Sequence, residues 1–186
     1  MKVPKLPYDK RIKEILIDSA TIRHRVTQLA VKISEEYNED TPLLVVGILK
    51  GSFIFLADLC RELTVPHQVD FIALSSYGVH SWGSGAVRMI MDLKMDVKNR
   101  HILVVEDISD TGYTLDYLFR NIMSRGPASV KCCSFLSKPS LREVPVQLDY
   151  LGFEIEDMWV VGYGLDYKET YRTLPFIARY NKEEKR

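Results

Sequence analysis

Apolar and polar residues are arranged along the chain in two kinds of segment. Short, nearly continuous apolar runs such as Leu43–Leu49 are typical of parallel strands that are buried on both faces. Other segments repeat apolar residues at helical spacing. One such repeat predicts a helix that is capped by Ser19 and continues to Tyr37. Its buried face is predicted to carry Ile22, Val26, Leu29, Ala30 and Ile33.

The same two patterns predict the remaining elements. Apolar runs at residues 69–74, 102–105, 129–136 and 158–161 predict strands, and residues 88–93 predict an extended arm. Residues 75–86 are rich in serine and glycine and predict a loop. Helices are predicted after the turns at residues 50–52 and 109–114. The apolar positions of these two helices are Phe53, Leu56, Ala57, Cys60 and Leu63 in the first, and Leu115, Leu118, Phe119, Ile122 and Met123 in the second.

Strands that alternate with helices in this way predict an α/β fold. We expect a mostly parallel sheet that is flanked by helices on both faces. The terminal segments are less regular than the centre, and we expect them to form a small hood. The chain has 186 residues, which predicts a single domain over residues 1–186.

Composition excludes several classes of protein. The formal net charge is zero, which disfavours a general nucleic-acid binder. The three cysteines are Cys60, Cys132 and Cys133; their odd number and the lack of a CxxC pair indicate neither a disulfide framework nor a zinc site. The N-terminus has no apolar signal-peptide core, and no apolar run reaches membrane-spanning length. We therefore expect a cytoplasmic protein with reduced thiols and no membrane partner.

Two carboxylates and a turn of small polar residues follow the predicted strand at residues 102–105. The acids are Glu106 and Asp107, and the turn at residues 109–114 opens a predicted helix. Ligands of open α/β sheets bind at the carboxyl ends of strands, and a helix N-terminus attracts phosphate. The acids suit sugar hydroxyls or a divalent metal beside that phosphate. The segment therefore predicts a site for a sugar phosphate.

This segment resembles the signature of the type I phosphoribosyltransferases, in which a hydrophobic run precedes two acids, two variable residues and Asp-Thr-Gly-x-Thr. Every fixed position is filled here, and the variable position inside the last motif is Tyr113. The resemblance implies that the segment binds 5-phosphoribosyl 1-pyrophosphate (PRPP) and that Asp110 is the general base toward purine N7. The implied PRPP-binding residues are Glu106, Asp107, Ile108, Ser109, Asp110, Thr111, Gly112, Tyr113 and Thr114.

Two further segments are similar to the 6-oxopurine branch of that family. Leu-Lys-Gly-Ser at residues 49–52 resembles its pyrophosphate loop, which implies that Lys50 and Gly51 bind pyrophosphate and that the Leu49–Lys50 peptide is cis. Ser76 and Tyr77 match the serine-tyrosine pair of a lid that keeps water from an oxocarbenium-like centre. His80 and Trp82, in the same loop, are given no role.

The remaining matches lie toward the C-terminus. Lys138 matches the lysine that binds O6 of the purine, and Trp159 matches the aromatic residue that stacks on it. The resemblance also implies purine contacts from the Val160 backbone and from Asp166. Arg172 matches an arginine that holds pyrophosphate, a role that suits a planar guanidinium. The implied Mg²⁺ ligands are Glu106, Asp107 and Asp166, and Arg142 is left without a definite role beyond a possible phosphate contact.

The resemblance implies a purine-salvage transferase. Hypoxanthine or guanine and PRPP would give IMP or GMP and pyrophosphate, with Mg²⁺ as the cofactor. Two alternatives stay open: xanthine as an acceptor, and a PRPP-sensing regulator that binds nucleic acid on the same fold, which the neutral charge disfavours. Members of the family commonly form homodimers or homotetramers, so an oligomer is expected.

Overall fold

The chain folds around a six-stranded sheet with strand order β4-β3-β2-β5-β6-β7. The computed structural model describes residues 11–41, 43–76 and 87–181. Neighbouring strands of this sheet are parallel except for the pair β3 and β4. In chain order, the elements are β1 (Ile12–Ile17), α1 (Ser19–Glu36), β2 (Leu43–Leu49), α2 (Phe53–Glu62), β3 (His67–Ser76), β4 (Val87–Met91), β5 (His101–Ser109), α3 (Tyr113–Met123), β6 (Ser129–Ser137), β7 (Tyr150–Glu154), β8 (Val160–Val161) and β9 (Ile177–Tyr180).

Helices cover both faces of the sheet, as predicted. Successive side chains of a strand point to opposite faces, and in β2 both sets are buried. Leu43 and Val45 belong to the apolar cluster that contains residues of α1 and α2. Leu44 and Val46 belong to a second cluster with the buried face of α3. The continuous apolar run of β2 therefore reflects burial on two sides.

The chain reverses its direction of travel across the sheet between β2 and β5. From β2 it crosses through α2 to β3 on one side, and from β5 it crosses through α3 to β6 on the other. Pairing of β2 with β5 ends at Gly47 and Val105, whereas β5 stays paired with β6 as far as Ser109 and Ser137. The two central strands thus separate at their carboxyl ends. Such a switch point is where ligands bind in open α/β sheets.

The terminal segments form the predicted hood, an antiparallel three-stranded sheet in the order β1-β9-β8. Ile17, Val160 and Ile177 of this small sheet share an apolar cluster with Phe135 of the main sheet. The sequence predicted only its strand at residues 158–161, which is shorter in the structure. It missed β1, β7 and β9, because these strands are short and each lacks a continuous apolar run.

Several predicted boundaries were wrong. Asp18 and not Ser19 caps α1, since the Thr21 N–H donates to Asp18 Oδ1 at 2.8 Å. That hydrogen bond lowers the pKa of the Asp18 carboxyl. Helix α1 ends at Glu36, and Tyr37 is its C-terminal cap. The apolar positions predicted for α2 and α3 also include exposed residues, because tertiary packing selects the face: Phe53 is 38% and Met123 is 58% exposed.

Three strands run further than the pattern predicted. Strand β5 does not stop before Glu106 but continues to Ser109, because β6 extends its ladder. Ser75 and Ser76 belong to β3 and not to a loop, and the predicted arm is the strand β4, which pairs with β3. Tyr77, with the rest of the predicted loop to residue 86, lies outside the described residues.

The three cysteines and the helices lie among the described residues. The three cysteines are free, and Cys132 and Cys133 are buried. Burial raises the pKa of the Cys60 thiol to about 11. None of the helices that the structure describes is both long and apolar enough to span a membrane.

Candidate active site

The loop after β2 meets the acids of β5 where the two strands separate. A Cβ atom on Gly51 would lie 1.6 Å from Asp107 Oδ2, so only glycine permits this contact. The preceding Leu49–Lys50 peptide is cis, as predicted. The Ser52 hydroxyl donates to the Ile48 carbonyl at 2.6 Å and fixes the turn. The predicted pyrophosphate loop and the first part of the PRPP signature are therefore in direct contact.

Glu106 and Asp107 form a close pair of carboxyls. Glu106 is 6% exposed, and its Oε1 accepts from the Asp107 backbone N–H at 3.2 Å. Burial, and then the charge of Asp107, raise the pKa of Glu106 well above its usual range. A divalent cation or hydroxyl donors beside the pair would compensate this unfavourable charge. The donor set of hard oxygens fits Mg²⁺ and sugar hydroxyls.

The loop from Asp110 to Gly112 is clamped by the segment that follows β6. Gly112 has φ +94°, and a Cβ there would lie 2.4 Å from the Val144 carbonyl oxygen. The Thr111 carbonyl accepts from the N–H groups of Glu143 and Val144, both at 3.0 Å. Helix α3 begins at Tyr113, whose hydroxyl is 3.1 Å from Glu143 Oε2. The first turn of a helix leaves its N–H groups without intrahelical partners, so this clamped end offers a preformed phosphate site.

Arg142 braces the same loop from inside the protein. Its Nη1 donates to Ser109 Oγ at 2.6 Å, and its Nη2 donates to Ser137 Oγ at 3.1 Å. Ser109 is only 3% exposed. Ser109, which the resemblance assigns to PRPP binding, therefore bonds through its hydroxyl to an arginine of its own chain. This supporting role of Arg142 was not predicted from the sequence.

Asp110 and Lys138 lie side by side, because each follows one of the paired strands β5 and β6. Lys138 Nζ is 4.0 Å from Asp110 Oδ1 and 3.7 Å from Asp157 Oδ1. The Lys138 side chain is 7% exposed. Burial raises the pKa of Asp110, although the positive charge of Lys138 opposes that rise. Asp110 Oδ1 is buried without a hydrogen-bond partner among the described residues, so it is available to a proton donor.

The aromatic residue predicted to stack on the base borders a cavity. Trp159 is 42% exposed, whereas the neighbouring Val160 is buried in β8. Asp157 and Trp159 line a cavity of about 500 Å³ together with residues of β1 and β9. Asp157 lies 3.7 Å from Lys138 and lines this cavity, whereas Asp110 and Lys138 do not line it. An exposed indole at its border suits stacking on a flat heterocycle.

The two cations predicted to hold pyrophosphate share one carboxylate. Lys50 Nζ and Arg172 Nη2 each lie 3.1 Å from Glu169 Oε2. Arg172 also donates to the Gly164 carbonyl and to Asp166 Oδ1, both at 2.8 Å. Hydrogen bonds from Lys50 and Arg172, together with their positive charges, lower the pKa of Glu169. Glu169 was not predicted as a site residue, although it lies three residues from both Asp166 and Arg172 in the sequence.

Asp166 shapes the turn that carries Glu169. Its Oδ2 accepts from the Glu169 N–H at 2.8 Å, while its Oδ1 bonds to Arg172. Among the described residues, no three His, Cys, Asp or Glu side chains form a group that could hold a metal. Glu106, Asp107 and Asp166 therefore do not build one complete site. Mg²⁺ commonly takes one or two carboxylates and completes its shell with water and substrate oxygens, which fits these acids.

The segment that contains Tyr163 and Gly164 is joined to the loop after β2 and to helix α2. A Cβ on Gly164 would lie 1.9 Å from the Gly51 carbonyl oxygen. The Tyr163 hydroxyl donates to Asp58 Oδ2 of α2 at 2.8 Å. These contacts bring Lys50 and Arg172 together. Ser76 ends β3 opposite Val87, and no described contact links its side chain to the residues above.

Comparison with known proteins gives consistent matches over this architecture. The family model described as a phosphoribosyl transferase domain matches residues 13–168. The hypoxanthine phosphoribosyltransferase of Salmonella typhimurium is 43% identical over 171 residues, which cover 91% of this chain and 96% of that protein. The hypoxanthine-guanine phosphoribosyltransferase of Mycobacterium bovis is 42% identical over 176 residues, which cover 92% of this chain and 87% of that protein.

A solved structure agrees in fold as well. The crystal structure of a hypoxanthine-guanine phosphoribosyltransferase from Bacillus anthracis has a TM-score of 0.87 and 39% identity, with 91% of this chain and 99% of that chain covered. The matched region contains the strand β5 with its acids, the clamped loop and the paired lysine after β6. The chain belongs to the phosphoribosyltransferase family, in the branch of its hypoxanthine and hypoxanthine-guanine relatives.

Proposed function

We propose that the chain transfers the 5-phosphoribosyl group of PRPP to hypoxanthine or guanine, which gives IMP or GMP and pyrophosphate. The observation that carries this proposal is the pairing of Asp110 with the buried Lys138 at adjacent strand ends. One group accepts a proton and the other attracts a 6-oxo group, so together they select a 6-oxopurine. The names of the relatives, hypoxanthine and hypoxanthine-guanine phosphoribosyltransferases, support the same substrates.

The sugar phosphate is held at the carboxyl end of β5. Glu106 and Asp107 bind the ribose hydroxyls, because these acids lie where β5 separates from β2. The 5-phosphate binds the N-terminus of α3, and the residues from Ile108 to Thr114, which include the end of β5, the loop and the first residues of α3, surround it. The loop is held in place by its own chain before substrate arrives, so little has to be ordered on binding.

The purine binds between Trp159 and the pair of Asp110 and Lys138. Trp159 stacks on the ring, and the Val160 backbone contacts the edge of the base. The Lys138 ammonium faces O6, where it stabilises negative charge and disfavours a 6-amino group. Asp110 accepts the proton from N7 as the bond from N9 to the sugar forms, a role that a carboxyl with a raised pKa performs well. Asp166, for which the resemblance implies a purine contact, pairs with Arg172 on the pyrophosphate side.

Pyrophosphate leaves from the opposite side of the sugar. Lys50, the Gly51 backbone and Arg172 bind its oxygens, since the two cations meet at Glu169 and Gly51 lies against Asp107. Carboxylates of Glu106 and Asp107, and of Asp166 on the pyrophosphate side, would hold Mg²⁺, whose chemistry when bound is to neutralise the leaving group. Ser76 and Tyr77 belong to the lid that excludes water from the sugar carbon.

The oligomeric state and the compartment complete the proposal. A homodimer or homotetramer in the cytoplasm is expected for an enzyme of this family. The related enzyme of Trypanosoma cruzi has been studied for the effect of its C-terminal region on oligomeric state and activity. Sedimentation of the purified chain tests the assembly directly.

Substrate assays test the proposed reaction. Purified protein is mixed with PRPP, Mg²⁺ and one of hypoxanthine, guanine, xanthine or adenine, and nucleotide formation is followed by absorbance. We expect turnover with hypoxanthine and guanine and none with adenine. Xanthine in the same assay decides whether it is also an acceptor. An absence of turnover with every 6-oxopurine would refute the proposal, and so would turnover with adenine at the same rate.

A further inference from the structure

One carboxylate neutralises both cations of the proposed pyrophosphate site. Lys50 and Arg172 contact the same oxygen of Glu169, each at 3.1 Å. Lys50 and Glu169 come from segments that are 119 residues apart in the chain. The acid therefore stands where the fold brings these two cations together, on the side from which pyrophosphate leaves.

A built turn presents this carboxylate. Lys168 and Glu169 both have left-handed backbone conformations, with φ of 51° and 62°. The turn is closed by reciprocal hydrogen bonds between the backbones of Tyr167 and Thr170, both at 3.1 Å, and Asp166 caps the Glu169 N–H. Such conformations are uncommon outside glycine, and the surrounding hydrogen bonds hold them. The backbone thus defines the point from which the Glu169 side chain extends toward the two cations.

We infer that Glu169 is an internal competitor of pyrophosphate, a residue that occupies Lys50 and Arg172 until the leaving group displaces it. The inference rests on the proposed function of the two cations and adds a residue that weakens the binding of one product. Pyrophosphate carries several negative charges, so it can replace a single carboxylate on the same donors. The side chains of Lys50 and Glu169 are 67% and 66% exposed. Exposed ion pairs exchange partners at little cost in free energy.

The competition affects pyrophosphate and leaves the nucleotide untouched. Glu169 contacts the leaving-group cations, whereas the 5-phosphate loop is bound by Arg142 and by the segment at Glu143. Removing the negative charge of Glu169 therefore strengthens pyrophosphate binding and stronger product inhibition follows. A purely structural role of Glu169 would instead weaken both ligands together.

The test is calorimetric titration with sodium pyrophosphate, without added Mg²⁺, of the wild-type protein and of Glu169→Gln. Omitting Mg²⁺ separates the competition from any metal contact of the carboxylate. We expect the Kd of pyrophosphate to fall about two- to tenfold in Glu169→Gln, the range set by one exposed carboxylate on an exposed Lys50 and a more buried Arg172. The inhibition constant of pyrophosphate in the nucleotide-forming reaction falls by a similar factor, and the Kd of GMP is unchanged.

Two further variants control for charge and length. Glu35→Gln removes an exposed acid from α1, a helix that supplies no site residue, and leaves pyrophosphate affinity at the wild-type value. Glu169→Asp keeps the charge on a shorter side chain that cannot reach both cations. Its affinity for pyrophosphate therefore falls between those of the wild type and Glu169→Gln. An unchanged or weaker affinity in Glu169→Gln overturns the inference. Lack of turnover by the wild type with every 6-oxopurine refutes the proposed function instead, so the two failures are distinct.

Discussion

The loop after β5 and the turn at residues 166–172 are stabilised in different ways. The first is clamped by backbone hydrogen bonds from Glu143 and Val144 and braced by the partly buried Arg142. The second is also closed by backbone hydrogen bonds, but the side chain that it presents, Glu169, pairs with Lys50 of another segment, and both of these side chains are mostly exposed. Backbone and buried contacts resist displacement, whereas exposed ion pairs do not.

This difference matches what each region must do in the proposed reaction. The 5-phosphate stays bound from substrate to nucleotide, so a preformed site that needs no reordering favours the transfer. Pyrophosphate is bound and then released, so its cations must exchange partners readily. The architecture therefore separates a rigid side, which keeps its ligand, from an exchangeable side, which loses it.

The largest expected effect tests whether Asp110, on the rigid side, is the proton acceptor of the reaction. Asp110→Asn keeps the size of the side chain but removes the proton acceptor beside Lys138. We expect kcat for nucleotide formation to fall by about 10²–10⁴-fold, the usual contribution of a general base. Steady-state rates at saturating PRPP and hypoxanthine measure it. The control is Asp116→Asn, which alters an acid of α3 paired with Arg120 and should keep its rate. A near-normal kcat in Asp110→Asn would remove Asp110 as the base.

A methyl group in the clamped loop tests its rigidity. In Gly112→Ala, the new Cβ meets the Val144 carbonyl at a backbone conformation that alanine rarely adopts, so the loop must move. We expect kcat/KM for PRPP to fall about 10²-fold, as small displacements of binding groups can cause. Gly126→Ala is the matched control: Gly126 also has positive φ, at 73°, but nothing lies within 4 Å of its Cβ position. If both variants lose activity equally, backbone strain and not the clamp explains the loss.

Stability measurements compare the two regions directly. Arg142→Met removes the hydrogen bonds to Ser109 and leaves the buried Ser137 hydroxyl with one partner fewer. We expect the free energy of unfolding to fall by about 1–3 kcal/mol. Glu169→Gln breaks the exposed pair with Lys50 and one contact of Arg172, which keeps its bonds to Asp166 and to the Gly164 carbonyl, so that free energy should stay unchanged within error. Urea denaturation of both variants is the measurement. Equal losses in the two variants would contradict the distinction between a braced and an exchangeable side.

The sequence predicted those strands, turns and helices that residues adjacent in the chain determine. The apolar run of β2 fell on the observed strand, and the turn and helix after β5 followed from adjacent residues. It failed where distant segments decide the structure. Strand β1 exists because it pairs with β9, from Ile12 opposite Tyr180 to Ile17 opposite Ile177. Likewise, β5 continues past Glu106 because β6 extends beside it.

The candidate site divides in the same way. The resemblance supplied Asp110, Lys138 and Arg172, whose matches lie in local motifs. It supplied nothing about Asp157 and Glu169, because the proximity of each to a buried or distant cation arises only from the folded chain. The residues that adjust the charge of the site were therefore beyond what residue order alone could predict.

The smallest expected effect tests whether the charge of Asp157, an exposed acid on the purine side, alters the pKa of Asp110. Besides Asp157, the charged groups that influence Asp110 are Lys138, Asp107 and Arg142. Asp157 raises the pKa of Asp110 by its negative charge and shares the Lys138 ammonium at 3.7 Å. Asp157→Asn removes that charge and leaves the ammonium to Asp110, and both changes lower the pKa of the base.

Because the base must be ionised to accept a proton, the acid limb of the kcat/KM profile lies at the pKa of Asp110 in the free enzyme. That pKa is raised in the wild type, so the limb lies above the ordinary value of 3.8. We expect Asp157→Asn to move the limb to lower pH by a few tenths of a pH unit, measured as kcat/KM at a series of pH values. Glu156→Gln, at the neighbouring exposed acid, leaves it in place. A limb that stays fixed or moves to higher pH in Asp157→Asn would mean that Asp110 does not sense this exposed charge, and the rigid side would then be electrostatically independent of the residues around it.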